Sequence, residues 1–194
     1  MSETTSGGAD GRFTVVDSTV THEGLMSTLR VDEVAMPDGA MVTREVAQHP
    51  DAVAVVPLTD DGQVVLVRQY RHPVGRYELE VPAGLLDVDG ESEGEAAQRE
   101  LAEEIRMTAG RLERLTRFWN SAGWTDEATT LFVGRDLVPA TPGENFVAEA
   151  EEADMEIVRL PLADAVAQVR GGAITDAKTV IGLLFVAGIE AATP

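Results

Sequence analysis

The segment Arg99-Glu100-Leu101-Ala102-Glu103-Glu104 places three carboxylates and a guanidinium within one short stretch. On a helix, at about 100° per residue, Ala97, Leu101 and Ile105 share one stripe, and Glu100, Glu103 and Glu104 fill an adjoining arc of about 100°. The acidic arc borders the face that has to be buried. Like charges four apart cost an isolated helix roughly a few tenths of a kcal/mol, and Arg99, four before Glu103, offsets only part of that. Glu100 and Glu104 therefore call for a further neutralising group. A hard divalent cation is the economical choice, because Mg²⁺ takes oxygen ligands, keeps waters and is commonly shared with substrate phosphates. An acidic helix taken alone more often presents a solvated face, so the surrounding sequence has to decide.

A second set of chemically suggestive residues is cationic. Fifteen Lys plus Arg stand against thirty-four Asp plus Glu, a net charge of −19. In so acidic a chain Arg44, Arg71 and Arg76 stand out, since the guanidinium fork matches phosphate oxygens. Arg71 is the strongest phosphate contact among them, with an ion pair to Glu78 or Glu80 as its structural alternative. The overall field repels nucleic-acid backbones, so nucleic acid is not an expected partner. A solvated, self-repelling surface accounts for this acidity, with carboxylates that hold cations as the sharper alternative.

Helices and strands must position these groups. Ser92, three residues before Glu95, opens a helix from Ser92 to about Met107 with a capping box. Further helices are expected at Pro161–Arg170, ended by Gly171-Gly172, and at Thr175–Ala191, capped by Thr175 or Asp176. Short β-branched runs between Phe13 and Gln48, divided by Pro37-Asp38-Gly39, read as a small antiparallel N-terminal sheet. Ala52–Leu58 and Gln63–Tyr70 read as a hairpin with its turn at Asp61-Gly62. Strands are also expected at Leu112–Phe118, Ala128–Gly134 and Met155–Leu160. The order of strands, helix, strands and helices implies a mixed sheet sandwiched by helices, an α/β fold.

Residues 1–11 lack periodicity and read as a disordered tail, residues 12–48 as the N-terminal sheet region and residues 49–194 as the main domain. Cysteine is absent, which removes disulfides, thiolate zinc sites and cysteine nucleophiles together and suits a reducing compartment. The first residues show neither a basic nor an apolar leader region, and the longest apolar run, Val180–Ile189, falls short of the ~20 residues a span requires. A cytoplasmic protein without a membrane partner is expected.

The stretch Gly84 to Glu91, then seven residues, then Arg99-Glu100-Leu101-Ala102-Glu103-Glu104 resembles the Nudix box. Two features differ from the usual pattern: six residues rather than five separate Gly84 from Glu91, and Arg106 stands where a Gly normally ends the helix. An extra loop residue is cheap, whereas loss of the Gly removes the usual left-handed cap and leaves the helix to run on or end differently. Resemblance to the ADP-ribose pyrophosphatase branch extends through Arg44, Gln69-Tyr70-Arg71-His72, Glu80-Val81-Pro82-Ala83-Gly84, Ser121 to Glu127 and Glu151 to Met155. A Pro that often marks ADP-ribose hydrolases appears here as Ala122.

The resemblance implies a Nudix-type α/β/α sandwich with a mixed sheet, and attack of water on one phosphorus of a pyrophosphate. ADP-ribose is the implied substrate, another nucleotide sugar the alternative, and Mg²⁺ the implied cofactor with Mn²⁺ as a substitute. A non-catalytic ADP-ribose sensor of the same fold is disfavoured by the complete carboxylate set and by the lack of a basic DNA-binding module. The implied metal ligands are Glu100, Glu104 and the carbonyl of Ala83, with Glu103 either a ligand or a supporting group. Arg99 braces the loop through Glu91. The base comes from the loop Thr141–Asp154, where Glu152 aligns best and Glu151 and Glu149 follow, with Glu103 as the fallback. Substrate contacts are expected from Arg44, Arg71, Glu80, Gly123 and Trp124, the last as a stacking surface for ribose or base, with simple packing as its alternative; His72 reads as a packed or exposed histidine rather than a catalytic one. The family also implies a homodimer in which the N-terminal sheets exchange, which suits a sheet too small to be stable alone.

Overall fold

The computed structural model describes residues 11–143 and 154–192. Most of the expected tail and the expected base loop, with Glu149, Glu151 and Glu152, lie outside the described residues. The chain divides into two compact units: one runs up to Pro50 and includes Trp119–Ala128, the other comprises Asp51–Phe118 and continues from Thr129.

The first unit holds β1 (Thr14–Glu23), β2 (Thr28–Ala35) and β3 (Met41–Gln48), paired antiparallel in that order. Gly39, at φ 84°, makes the expected turn between β2 and β3. The segment after Trp119 folds onto β3, where the Ala47 N–H donates to the Trp124 carbonyl at 2.8 Å and His49 N–H to Asp126 Oδ1 at 3.1 Å. Much of the sheet's apolar surface is uncovered, including Phe13, Val16, Val20, Leu29 and Met41.

The second unit contains two sheets, one ordered β7-β4-β9-β8 and the other β10-β5-β6. Their strands are β4 (Ala52–Pro57), β5 (Gln63–Arg71), β6 (Arg76–Glu80), β7 (Ala83–Leu85), β8 (Met107–Trp119), β9 (Ala128–Pro139) and β10 (Glu156–Pro161). The helices are α1 (Glu93–Ile105), α2 (Leu162–Arg170) and α3 (Ala177–Ala192). Strand alternation creates the layers. Val53, Val55, Val65 and Val67 pack with Ala96, Ala97, Leu101 and Ile105 of α1. Their neighbours Ala54, Val56, Val64 and Leu66 instead pack with Ala165 and Val166 of α2 and Leu183 and Val186 of α3. Gly182 allows close approach here, because a Cβ at that position would lie 2.6 Å from Val56 Cγ2. The arrangement is an α/β/α sandwich with a mixed sheet.

One expectation needs correction. β4 and β5 are not a hairpin: beyond a single bridge, Leu58 to Val64, they join different sheets. The turn exists, with Gly62 at φ 77° and its N–H on the Thr59 carbonyl. But β4 runs parallel to β9 from Ala52–Thr129 to Pro57–Gly134, while β5 pairs antiparallel with β6 and β10. Both strands are buried on two faces, so their near-continuous apolar runs carry no information about which neighbour they take. Among the described residues no helix is long and apolar enough to cross a membrane.

Candidate active site

The carboxylate helix starts where its capping chemistry places it. Ser92 Oγ accepts from the Glu95 N–H, Glu95 accepts from the Ser92 N–H at 2.9 Å, and acidic Glu93 and Glu95 occupy the positive N-terminal end. At the other end the helix stops at Ile105 despite the missing Gly. Arg106 itself adopts the left-handed conformation, φ 57° and ψ 38°, and its N–H closes the helix on the Leu101 carbonyl. The helix therefore does not run on; a residue with a Cβ bears the cost that Gly would avoid.

Arg99 is the hub of the region. Its Nε and Nη2 donate to the two oxygens of Glu91 at 2.9 and 3.0 Å, and Nη2 also reaches the Leu85 carbonyl at 3.2 Å. Nη1 donates to Glu100 Oε1 and, at 3.2 Å, to Glu103 Oε2. One guanidinium thus ties the loop after β7 to α1. Glu100 packs against Gly84 so closely that a Cβ there would overlap its carboxylate, so any other residue at this position would displace the Glu100 side chain. Glu104 accepts from the Ala83 N–H at 3.1 Å. Glu104 retains some exposed surface, yet its carboxyl group lies among packed atoms. Burial, followed by the adjacent Glu100 charge, pushes it up to about 8.

A divalent cation fits this donor set. Glu100 and Glu104 converge on the Ala83-Gly84 turn with like charge, and Mg²⁺ is commonly held by one or two carboxylates together with waters and substrate oxygens. Among the described residues no group of three or more acidic or histidine side chains forms a ready cage, which is consistent with Glu91 and Glu103 both being bound to Arg99.

Beside these carboxylates lies a cleft of about 270 Å³ lined by Arg71, Pro73, Val74, Glu78, Glu80, Thr175 and Asp176. Arg71 clasps Glu80 with Nε and Nη2, each at 2.7 Å, so the ion-pair alternative weighed for Arg71 is present. Lys178 Nζ donates to the same Glu80 and, at 2.9 Å, to Asp176. Burial alone would raise Glu80, which is only 1% exposed, but the bonds and charges of Arg71 and Lys178 overturn this and hold it at about 2. Arg76 bonds Glu78 and Thr175, and the buried Thr179 hydroxyl accepts from the Val81 N–H at 2.8 Å. The first residues of α3 are thereby fastened to β6 and to the turn leading into β7.

The remaining expected residues fall elsewhere. Arg44, Gly123 and Trp124 belong to the first unit, where Arg44 is exposed and donates to the Thr43 carbonyl and Trp124 is 59% exposed. Lys178 was missed in the sequence. Its signal was there: it is the only lysine in the chain, two residues after the Asp that caps α3.

A family model described as the NUDIX domain matches residues 48–180. The ADP-ribose pyrophosphatase of Mycobacterium tuberculosis (strain ATCC 25618 / H37Rv) is 39% identical over 92% of this chain and 84% of its own length. The ADP-ribose pyrophosphatase of Bacillus subtilis (strain 168) is 35% identical over 84% and 85%. A crystal structure of an ADP compounds hydrolase superposes with a TM-score of 0.80 at 26% identity, covering 93% of this chain and 95% of that one. With the Arg99-centred carboxylates and the sandwich that carries them, these matches establish that the chain belongs to the NUDIX family and is one of its hydrolases.

Proposed function

We propose that the protein hydrolyses the pyrophosphate bond of a nucleoside diphosphate derivative, with ADP-ribose cleaved to AMP and ribose 5-phosphate. The observation that carries the reading is the pairing of Glu100 and Glu104 at the Ala83-Gly84 turn beside the Arg71 cleft. The names of the relatives that match over most of the chain support ADP-ribose as substrate. Bound Mg²⁺, or Mn²⁺ in its place, would neutralise the diphosphate and activate water. Glu100, Glu104 and the Ala83 carbonyl would hold it, while Arg99 keeps Glu100, Glu103 and Glu91 in register. Arg71 orients a phosphate. A carboxylate takes the proton of the attacking water, and Glu152, with Glu151 as its neighbour, is assigned that role by position in the sequence. The P–O–P bridge then breaks and the bridging oxygen leaves with the other phosphate.

Residues 12–48 serve dimerisation and residues 49–194 catalysis in this reading, and the exposed Phe13, Val16, Val20 and Met41 supply apolar area for a second copy. Arg44, Gly123 and Trp124 take part in binding. Incubation with ADP-ribose and Mg²⁺ followed by chromatography should give AMP and ribose 5-phosphate. Intact ADP-ribose beside a cleaved nucleotide sugar would redirect the substrate assignment. Glu152→Gln should lower kcat strongly while substrate still binds; if Glu151→Gln does so instead, the base moves by one residue.

A further inference from the structure

We propose that Lys178 is a positioning residue for the substrate diphosphate: by sharing Glu80 with Arg71, it fixes the guanidinium so that Arg71 Nη1 stays available to a phosphate oxygen. The inference rests on the proposed diphosphate substrate. Arg71 spends Nε and Nη2 on Glu80, which leaves Nη1 unengaged by that carboxylate, and its side chain is 42% exposed and lines the cleft. Lys178 does not line the cleft and is only 15% exposed. It therefore acts through its partners rather than by touching substrate.

The geometry explains why a lysine is needed. Glu80 is buried, and a buried carboxylate is costly unless nearby cations compensate its charge. With Arg71 as its sole cation, Glu80 would be balanced by that guanidinium alone, which would be pulled towards the carboxylate and offer less of its charge to a phosphate at Nη1. Lys178 supplies a compact ammonium to Glu80 Oε2 and is itself fixed by Asp176. Asp176 is immobilised in turn, because its Oδ2 accepts from the Thr179 N–H at 2.9 Å and the Thr179 hydroxyl at 2.6 Å at the start of α3. The chain's only lysine thus transmits a helix cap to the phosphate-facing arginine.

The test uses the full chain, with kinetics on ADP-ribose and calorimetric binding of ADP-ribose without divalent metal. Lys178→Met should raise KM, and weaken metal-free binding, roughly tenfold, the size of one charge-assisted hydrogen bond. The change in kcat should be smaller, and the Mg²⁺ concentration for half-maximal rate unchanged. Lys178→Arg should restore most of the affinity. In an Arg71→Met background, Lys178→Met should add nothing, because its effect passes through Arg71. An unchanged KM overturns the inference, as does a loss that adds to that of Arg71→Met or a fall in kcat alone. If Lys178→Met does not fold, Lys178→Gln replaces it; if neither folds, selective ¹⁵N-lysine labelling of wild type gives one Nζ signal, which must shift when ADP-ribose is added. A wild type that neither binds nor cleaves ADP-ribose or a nucleotide sugar overturns the proposed function together with this inference. An active wild type with an indifferent Lys178 overturns the inference alone.

Discussion

Two glutamates, the buried Glu80 and the partly buried Glu104, meet the same turn and are treated in opposite ways. Glu80 is surrounded by Arg71 and Lys178, whose bonds and charges override burial and hold it at about 2. Glu104 has one backbone N–H and a like-charged neighbour, and burial with Glu100 lifts it to about 8. The protein's own cations complete the first site. In the second, Arg99 pairs with Glu100 but Glu104 has no direct cationic partner among the described residues, an arrangement that suits the metal site proposed above. The difference separates a carboxylate bound by the protein's own cations from one that burial and a like charge hold towards its neutral form.

The largest effects should come from breaking the second site. Glu100→Gln and Glu104→Gln should each lower kcat on the order of a thousandfold, while removing a like charge and leaving the fold intact. Rates near wild type in both variants would sink the assignment. Added Mg²⁺ should also stabilise the wild-type protein, by about 2.7 kcal/mol at a hundred times its Kd, and the gain should shrink sharply in Glu104→Gln. Thermal melts with and without metal measure this, and equal gains in both proteins would show that the cation binds elsewhere.

The first site should respond in stability. Glu80→Gln leaves Arg71 and Lys178 without their anion, at a cost of about 3 kcal/mol. The pH dependence has a definite sign. Glu80 is depressed from 4.5 in the unfolded chain to about 2 in the fold, so its contribution is complete above pH ~4.5 and lost as pH falls towards ~2. Urea midpoints of wild type and Glu80→Gln should therefore differ at neutral pH and converge on acidification. A gap that persists to low pH would mean that packing, not charge, holds Glu80.

The contrast between these sites was only half legible in the sequence. The carboxylates of α1 share one face because helical spacing is local, and Ser92 with Glu95 announces the helix start. The clamp on Glu80 is assembled across more than a hundred residues, from Arg71 on β5 and Lys178 on α3, and no local period reports it. The same non-locality misled the reading of β4. Its turn at Asp61-Gly62 is local and real, but its parallel partner β9 lies beyond α1 and β8. Arg106 is a different kind of surprise, since its sequence context favoured a helix that continues or ends otherwise.

Arg106 also gives the smallest and sharpest prediction. α3 begins with a cap that satisfies its backbone, through Asp176, whereas α1 ends on a residue whose Cβ is strained at φ 57°. Gly at this position removes that strain, and both backbone bonds can persist: Arg106 N–H to the Leu101 carbonyl, and Ala140 N–H to the Arg106 carbonyl at 2.9 Å. Arg106→Gly should therefore stabilise the protein by about 1 kcal/mol, seen as a rise of ~2–4 °C in Tm. Asn, which tolerates the left-handed region better than other side chains, should give a smaller gain. Because Glu100 and Glu104 are held by Arg99, Gly84 and Ala83 rather than by the helix end, kcat should not change. A stabilised Arg106→Gly with altered kcat would show instead that the strained cap sets the carboxylate geometry, and would make the end of α1 part of the active site rather than a cost the fold tolerates.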